Sequence, residues 1–199
     1  SNKRSNQNSK SFTIAGLKFA TCCSGTKYEN RDDLLLIVLD PGSHICACFT
    51  TSTILSAPVI WSKENNKKAQ NLKQKIVLLI NAGNANAFTG EDGLLACKEK
   101  APTFSNIVKG ERKNLFFAST GVRGDNRPRK EIIQHFSYLQ KNLSSHNFKN
   151  ASYSILTTDL KPKIYPSKVK ICNKIFTISG FAKGSGLIYP NMATMLAFL

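Results

Sequence analysis

Three groups of residues in this chain have types and spacings that could do chemistry: a glycine loop bearing a lysine, three histidines and six cysteines. Lys183-Gly184-Ser185-Gly186 is glycine-rich backbone of the kind that wraps an anion. A Walker A loop, however, puts its Lys and Ser/Thr after the glycines and at a helix start, so nucleotide phosphate is not indicated. His44, His135 and His146 lie in polar or helical text with no nucleophile signature beside them, and no Ser/His/Asp arrangement can be assembled. Cys22, Cys23, Cys46, Cys48, Cys97 and Cys172 include no CxxC pair and lack zinc-knuckle spacing. They read as free thiols in a reducing compartment, with no metal implied.

These groups need elements to position them. Leu34–Asp40 is a continuous apolar run of buried-strand length closed by Pro41-Gly42, and Ile45–Thr50 resumes with alternating character, which predicts that the two pair. Ser56–Ser62 fits a short strand or a helix start, and the polar Lys63–Lys75 reads as an exposed connection or helix face. Ile76–Ile80 is the clearest buried strand. It runs into an Asn/Gly loop, Asn81–Gly90, and then a predicted helix from Glu91 to Ile107, interrupted at Pro102. That order is shared by many ligand-binding turns. Asn114–Ala118 is a fourth strand, ending in Ser119-Thr120-Gly121. Ile132, Phe136, Leu139 and Leu143 form a helical stripe over Arg127–Leu143, with Asn126 as N-cap and Pro128 in the first turn. A second helix spans Asn147–Leu156. Val169–Ile171 and Ile175–Ile178 form a hairpin turned at Cys172-Asn173, followed by a glycine-rich loop, Gly180–Gly186, and a small, apolar ending, Pro190–Leu199.

The chain's 199 residues, 41% of them hydrophobic, suffice for one sizeable core and up to two small lobes, which excludes a disordered tail or a miniature disulfide scaffold. The longest apolar runs, Leu34–Leu39 and Ile76–Ile80, fall far short of the roughly 18 residues a membrane span needs, so no membrane partner is expected. A net charge of +16 is the sign that nucleic acid would attract. Lysine greatly outnumbers arginine and asparagine is abundant, which reads as compositional drift on a solvated surface, and no nucleic-acid partner is expected. The opening SNKRSNQNSK has no apolar h-region, so the expected location is cytoplasmic, and the missing initiator Met means that the start was processed or lies upstream.

Four segments taken together carry a more specific message: Asn81–Gly90 (NAGNANAFTG), Ala118–Gly124 (ASTGVRG), Leu156–Asp159 (LTTD) and above all Lys183–Leu196 (KGSGLIYPNMATML). They resemble the signature blocks of the bifunctional ornithine acetyltransferase of arginine biosynthesis, also called glutamate N-acetyltransferase. Ala15–Ala20, Arg31–Asp40, Phe49–Ser52 and Ser56–Ser62 agree in order. The resemblance implies an α/β fold of layered sheets and helices, N-terminal-nucleophile-like and incomplete in this chain. Residues 1–11 would be a polar arm, 12–193 the α-chain domain and 194–199 the start of a β chain.

The resemblance further implies a precursor that cuts itself at Ala193–Thr194 and then uses Thr194 as nucleophile. A threonine hydroxyl is a poor nucleophile, but the α-amine freed by cleavage, with a pKa of about 7.7–8.0, can take its proton near neutral pH. Thr194 would accept acetyl from N-acetylornithine and pass it to glutamate. Thr120 and Gly121 would stabilise the oxyanion, and Thr157, Lys183 and Thr194 would bind substrate, Lys183 through a substrate carboxylate. No cofactor is implied, with acetyl-CoA entering only as an alternative acetyl donor. The implied partner is the β chain of the same precursor, in a heterotetramer or larger assembly.

Arg123 departs from the family pattern, which places an aliphatic residue after the STG turn. Cys22-Cys23 and Lys161–Ile175 also look drifted. Only five residues follow Thr194, so this chain alone is expected to be inactive. The competing reading is a non-catalytic truncated remnant or basic binding module. A self-processing peptidase with the same nucleophile fits less well, because NAGNANAFTG and TTD match the acetyltransferase.

Overall fold

The computed structural model describes residues 13–25, 28–51, 55–68, 71–84, 101–102, 105–106, 111–122, 130–184 and 195–199. Strands β1 (Leu17–Cys22), β2 (Leu34–Leu39), β3 (Ile76–Asn84) and β4 (Leu115–Val122) form one sheet in that spatial order. β1, β2 and β3 run antiparallel in turn, and β4 is parallel to β3. Helices α1 (Ala57–Lys67), α2 (Lys130–Gln134), α3 (Phe136–Lys141) and α4 (Phe148–Ser154) are joined by a second, antiparallel sheet of β5 (Lys163–Ile171), β6 (Lys174–Lys183) and β7 (Leu196–Phe198). The α/β architecture is the one expected.

β2 and β3 are apolar at every position of their central runs because both faces of the first sheet are covered. Strand alternation turns Leu36, Val77, Leu79, Leu115 and Phe117 toward Trp61 of α1, Ile132 of α2 and Phe136 of α3. It turns Leu35, Leu78, Ile80 and Phe116 toward Phe148 of α4, Ile155 and Phe181 of β6. Edge-on rings fasten the second sheet to the first: Phe19 and Phe148 lie 5.7 Å apart, and Phe148 and Phe181 5.4 Å. Phe181 meets Phe198 of β7 at 5.1 Å.

β4 is an edge strand, and α1 covers its open side with side chains rather than a further strand. Trp61 Nε1 donates to the Leu115 carbonyl at 2.9 Å, and Asn65 Nδ2 donates to the same oxygen at 2.8 Å. Ser62 Oγ donates to the Phe117 carbonyl at 2.7 Å and accepts from its N–H at 2.9 Å. The buried backbone is thereby satisfied and the edge is closed to other chains. Ser62→Ala strips two partners from Phe117 at once. It is expected to lower unfolding stability by about 2 kcal/mol, read as a lower denaturant midpoint with unchanged slope.

Several sequence expectations change. Ile45–Thr50 forms no strand and does not pair with β2, because β1 and β3 already occupy both edges of β2. The segment instead tethers to α1, with the Ala47 N–H donating to Asn66 Oδ1 at 3.1 Å. β1 lies in text whose small and polar residues hide the strand. The third strand does not stop at Ile80 nor the fourth at Ala118, since β3 and β4 pair in register through Asn84 and Val122. The stripe after Lys130 is two short helices broken at His135, not one. Ser56–Ser62 resolves as a helix start, with Ser56 at the N-cap and Pro58 in the first turn. The hairpin is longer than predicted, and Gly180–Lys183 is strand rather than loop.

A Cβ at Gly180 would come within 2.6 Å of the Phe198 carbonyl oxygen, which β7 cannot yield while paired. Gly180→Ala is therefore expected to detach β7 and expose its amides to hydrogen exchange while the four-stranded sheet stays protected. The expected helix over Glu91–Ile107 lies largely outside the described residues, as do Asn126 and Pro128. Residues 101–102 and 105–106 are helical.

Candidate active site

Where the parallel strands β3 and β4 end, their side chains shrink to Asn81-Ala82-Gly83-Asn84 and Ser119-Thr120-Gly121-Val122. Gly83 and Gly121 face each other in register with φ of 134° and 135°, a region that favours glycine. Such strand ends are a common ligand position in α/β sheets. Alternation puts Thr120 on the same face as Phe116 and Ala118, the face packed by α4 and β6. Thr120 is fully buried, yet its hydroxyl has no hydrogen-bond partner among the described residues. Asn81, on the opposite face, likewise leaves its side-chain carbonyl unpartnered there. Buried polar atoms are ordinarily satisfied, so a hydroxyl with no partner among the described residues, at a strand end, is a candidate position for a ligand atom.

The other part of the site is built where α4 and β6 finish. α4 delivers Leu156 and Thr157, and the Arg31 guanidinium holds this exit by donating to the Leu156 carbonyl. On β6, Ser179, Phe181 and Lys183 share the inward face. Lys183 is 4% exposed, and its Nζ donates to Thr157 Oγ1 at 2.9 Å. Burial pushes the ammonium below its ordinary range of about 10.5; the nearby Asp159 carboxylate opposes that shift and Lys163 adds to it.

Asp159 has a side chain only 2% exposed, and Oδ1 accepts from Lys163 Nζ at 2.6 Å and from the Gly184 N–H at 3.1 Å. Burial pushes its carboxyl upward, but the bonds from Lys163 and Gly184 more than reverse this and leave it below the usual carboxylate range. Lys163 Nζ also donates to the Gly184 carbonyl at 2.8 Å.

The structure thus joins Thr157 to Lys183 directly and sets Thr120, with Gly121 next to it, at a strand end, Thr120 on the sheet face packed by α4 and β6. Ala193, Thr194 and Arg123 lie outside the described residues. Sequence reasoning took Asp159 only as part of a helix-ending TTD block and passed over Lys163. The signal was present in an acid two residues after Thr157 with a lysine four residues further on. No cluster of three or more metal-ligating side chains occurs among the described residues, and no described helix is long and apolar enough to cross a membrane.

Fold and site together define a layered α/β protein with a buried lysine held against a threonine hydroxyl near the end of a parallel strand pair. The ArgJ family pattern matches residues 18–199, and the chain belongs to that family. It is 37% identical over 186 residues to the arginine biosynthesis bifunctional protein ArgJ of Nitrobacter winogradskyi, covering 94% of this chain and 45% of that protein. The ArgJ protein of Caldanaerobacter subterraneus is 39% identical over 86% of this chain and 41% of its own length. The chain therefore spans less than half the length of these curated relatives. The crystal structure of arginine biosynthesis bifunctional protein ArgJ from Bacillus halodurans superposes with a TM-score of 0.76 at 27% identity, covering 90% of this chain and 92% of that chain. An ornithine acetyltransferase from Mycobacterium tuberculosis, solved with ornithine, shares the fold with a TM-score of 0.75 at 24% identity.

Proposed function

We propose that this chain is the α portion of an ornithine acetyltransferase, moving acetyl from N-acetylornithine to glutamate through an acetyl ester on Thr194. The observation that carries the reading is Lys183, a buried ammonium held against the Thr157 hydroxyl. A desolvated cation is costly unless an anion offsets it, and both substrates bring a carboxylate.

The Thr120 hydroxyl, unpartnered among the described residues, and the Gly121 amide are the donors for the oxyanion that forms when Thr194 Oγ attacks the acetyl carbonyl. Collapse of that intermediate breaks the C–N bond and releases ornithine, with the leaving nitrogen taking the proton that the Thr194 α-amine accepted from the hydroxyl. Glutamate nitrogen then attacks the ester and restores Thr194.

The α-amine itself comes from self-cleavage. Thr194 Oγ attacks the Ala193 carbonyl, an N-to-O acyl shift leaves an ester, and water opens it. Two lengths support such a cut: this chain covers 92% of the solved Bacillus halodurans chain but about 45% of the curated proteins. Leu196, two residues after Thr194, is paired with Lys183 in the β6–β7 ladder. The remaining segment, a β chain, is the expected partner in a heterotetramer or larger assembly, with acetyl-CoA as an additional donor in a bifunctional member and the cytoplasm as location. No cofactor takes part.

The test is trapping of the ester. The intact protein incubated with N-acetylornithine alone should gain the mass of one acetyl group on the fragment that begins at Thr194, and glutamate should remove it. A protein that never acquires this mass, while folded and cut, would be a non-catalytic member of the family.

A further inference from the structure

The segment Thr157–Asp159 grips Lys183 at both ends. Thr157 Oγ1 accepts from its Nζ, and Asp159 Oδ1 accepts from the N–H of Gly184, the next residue along the backbone. We propose that Asp159 is a positioning residue for Lys183: with Lys163 it clamps the two peptide groups that flank Gly184 and so fixes where the ammonium points. The proposal rests on the acetyltransferase reading for its consequence in turnover, though not for its structural content.

β6 is paired with β5 through Ala182 and with β7 through Lys183, and the ladders stop there. Strand ends normally fray. Here the Gly184 N–H goes to Asp159 and the Gly184 carbonyl accepts from Lys163, so side chains continue the ladder by one residue. Gly184 has φ of 151°, where a Cβ is disfavoured, so glycine suits the clamped position. Lys163 is itself fixed, because it pairs with Ala182 in the β5–β6 register.

Lys163 is 57% exposed, but Asp159 differs from an ordinary surface carboxylate: its side chain is 2% exposed and its Oδ2 is buried without a partner among the described residues. The carboxylate lies close enough to Lys183 for the two charges to act on each other, and among the described residues the charged groups about that ammonium are Asp159 and Lys163. A buried hydrogen-bonded carboxylate of this kind both orients the strand end and favours the charged lysine.

The experiment compares Asp159→Asn and Asp159→Ala with wild type in the intact protein. One readout is the NMR titration of the Lys183 side chain, and the other is the split between KM and kcat. Asp159→Asn keeps an acceptor for Gly184 and should move the Lys183 titration to lower pH. Asp159→Ala removes the clamp as well and should raise KM for N-acetylornithine about tenfold or more. Lys163→Met should reproduce part of the KM rise and Lys163→Arg should rescue it. An unmoved Lys183 titration together with unchanged KM in folded variants would overturn the proposal. If the titration moves in a protein whose wild type transfers no acetyl, the positioning role stands and the acetyltransferase reading fails.

Discussion

Thr194→Ala in the intact protein is expected to give one uncut chain with no acetyl transfer. In the proposed mechanism the same oxygen would serve both reactions: it would attack the Ala193 carbonyl to open the peptide bond, and later attack the acetyl carbonyl of the donor. Alanine supplies no nucleophile for either, and loss of a nucleophile costs on the order of 10⁴-fold or more in turnover. Thr194→Ser keeps the oxygen and should keep both reactions at reduced rate, which separates loss of chemistry from loss of shape. Mass spectrometry of the denatured protein reads the cut, and isotope-labelled acetyl reads the transfer. An alanine variant that is still cut, or still turns over, would remove Thr194 from both roles.

What could be read from sequence divides along physical lines. Leu34–Leu39 and Ile76–Ile80 were legible because burial on both faces demands unbroken apolar text, and the helix expected over Asn147–Leu156 forms over Phe148–Ser154. β1 was not, since a strand with one half-buried end tolerates Lys18 and Thr21. The strand ends at Asn81–Asn84 and Ser119–Val122 read as loops because parallel pairing is a backbone property, and two small-residue segments can supply it to each other without any apolar signal.

The site divides in the same way. Thr120, Thr157 and Lys183 carried motif information, whereas Asp159, though part of the LTTD block, and Lys163 bond to Gly184 backbone atoms, a pairing that their spacing alone does not display. Buried polar residues such as Ser62 and Asn65 were equally silent, because their purpose is to close the edge of a strand some fifty residues away in sequence.

Lys183→Met is expected to separate stability from activity in opposite directions. Burial depresses the Lys183 ammonium below its ordinary value of 10.5, so at neutral pH the fold holds a charge that the unfolded chain accommodates more readily. Between the folded and unfolded values the unfolded chain binds more protons, so the wild type gains stability as pH rises through that window. Methionine fills similar space without the charge, and half-buried Thr157 can turn to water. The variant should therefore be more stable by on the order of 1 kcal/mol at neutral pH, with the advantage shrinking as pH approaches 10.5. Catalysis should move the other way. Losing a charged hydrogen bond to the substrate carboxylate costs about 1.5–3 kcal/mol, a fall in kcat/KM of roughly ten- to hundredfold. Wild-type kcat/KM should also decline at alkaline pH, at a lower pH than an exposed lysine would dictate, and that limb should be missing from the variant. Chemical denaturation and a pH profile on the same two proteins settle it: a methionine variant that is less stable and equally active would mean that Lys183 is a structural lysine and not a receptor for an anion.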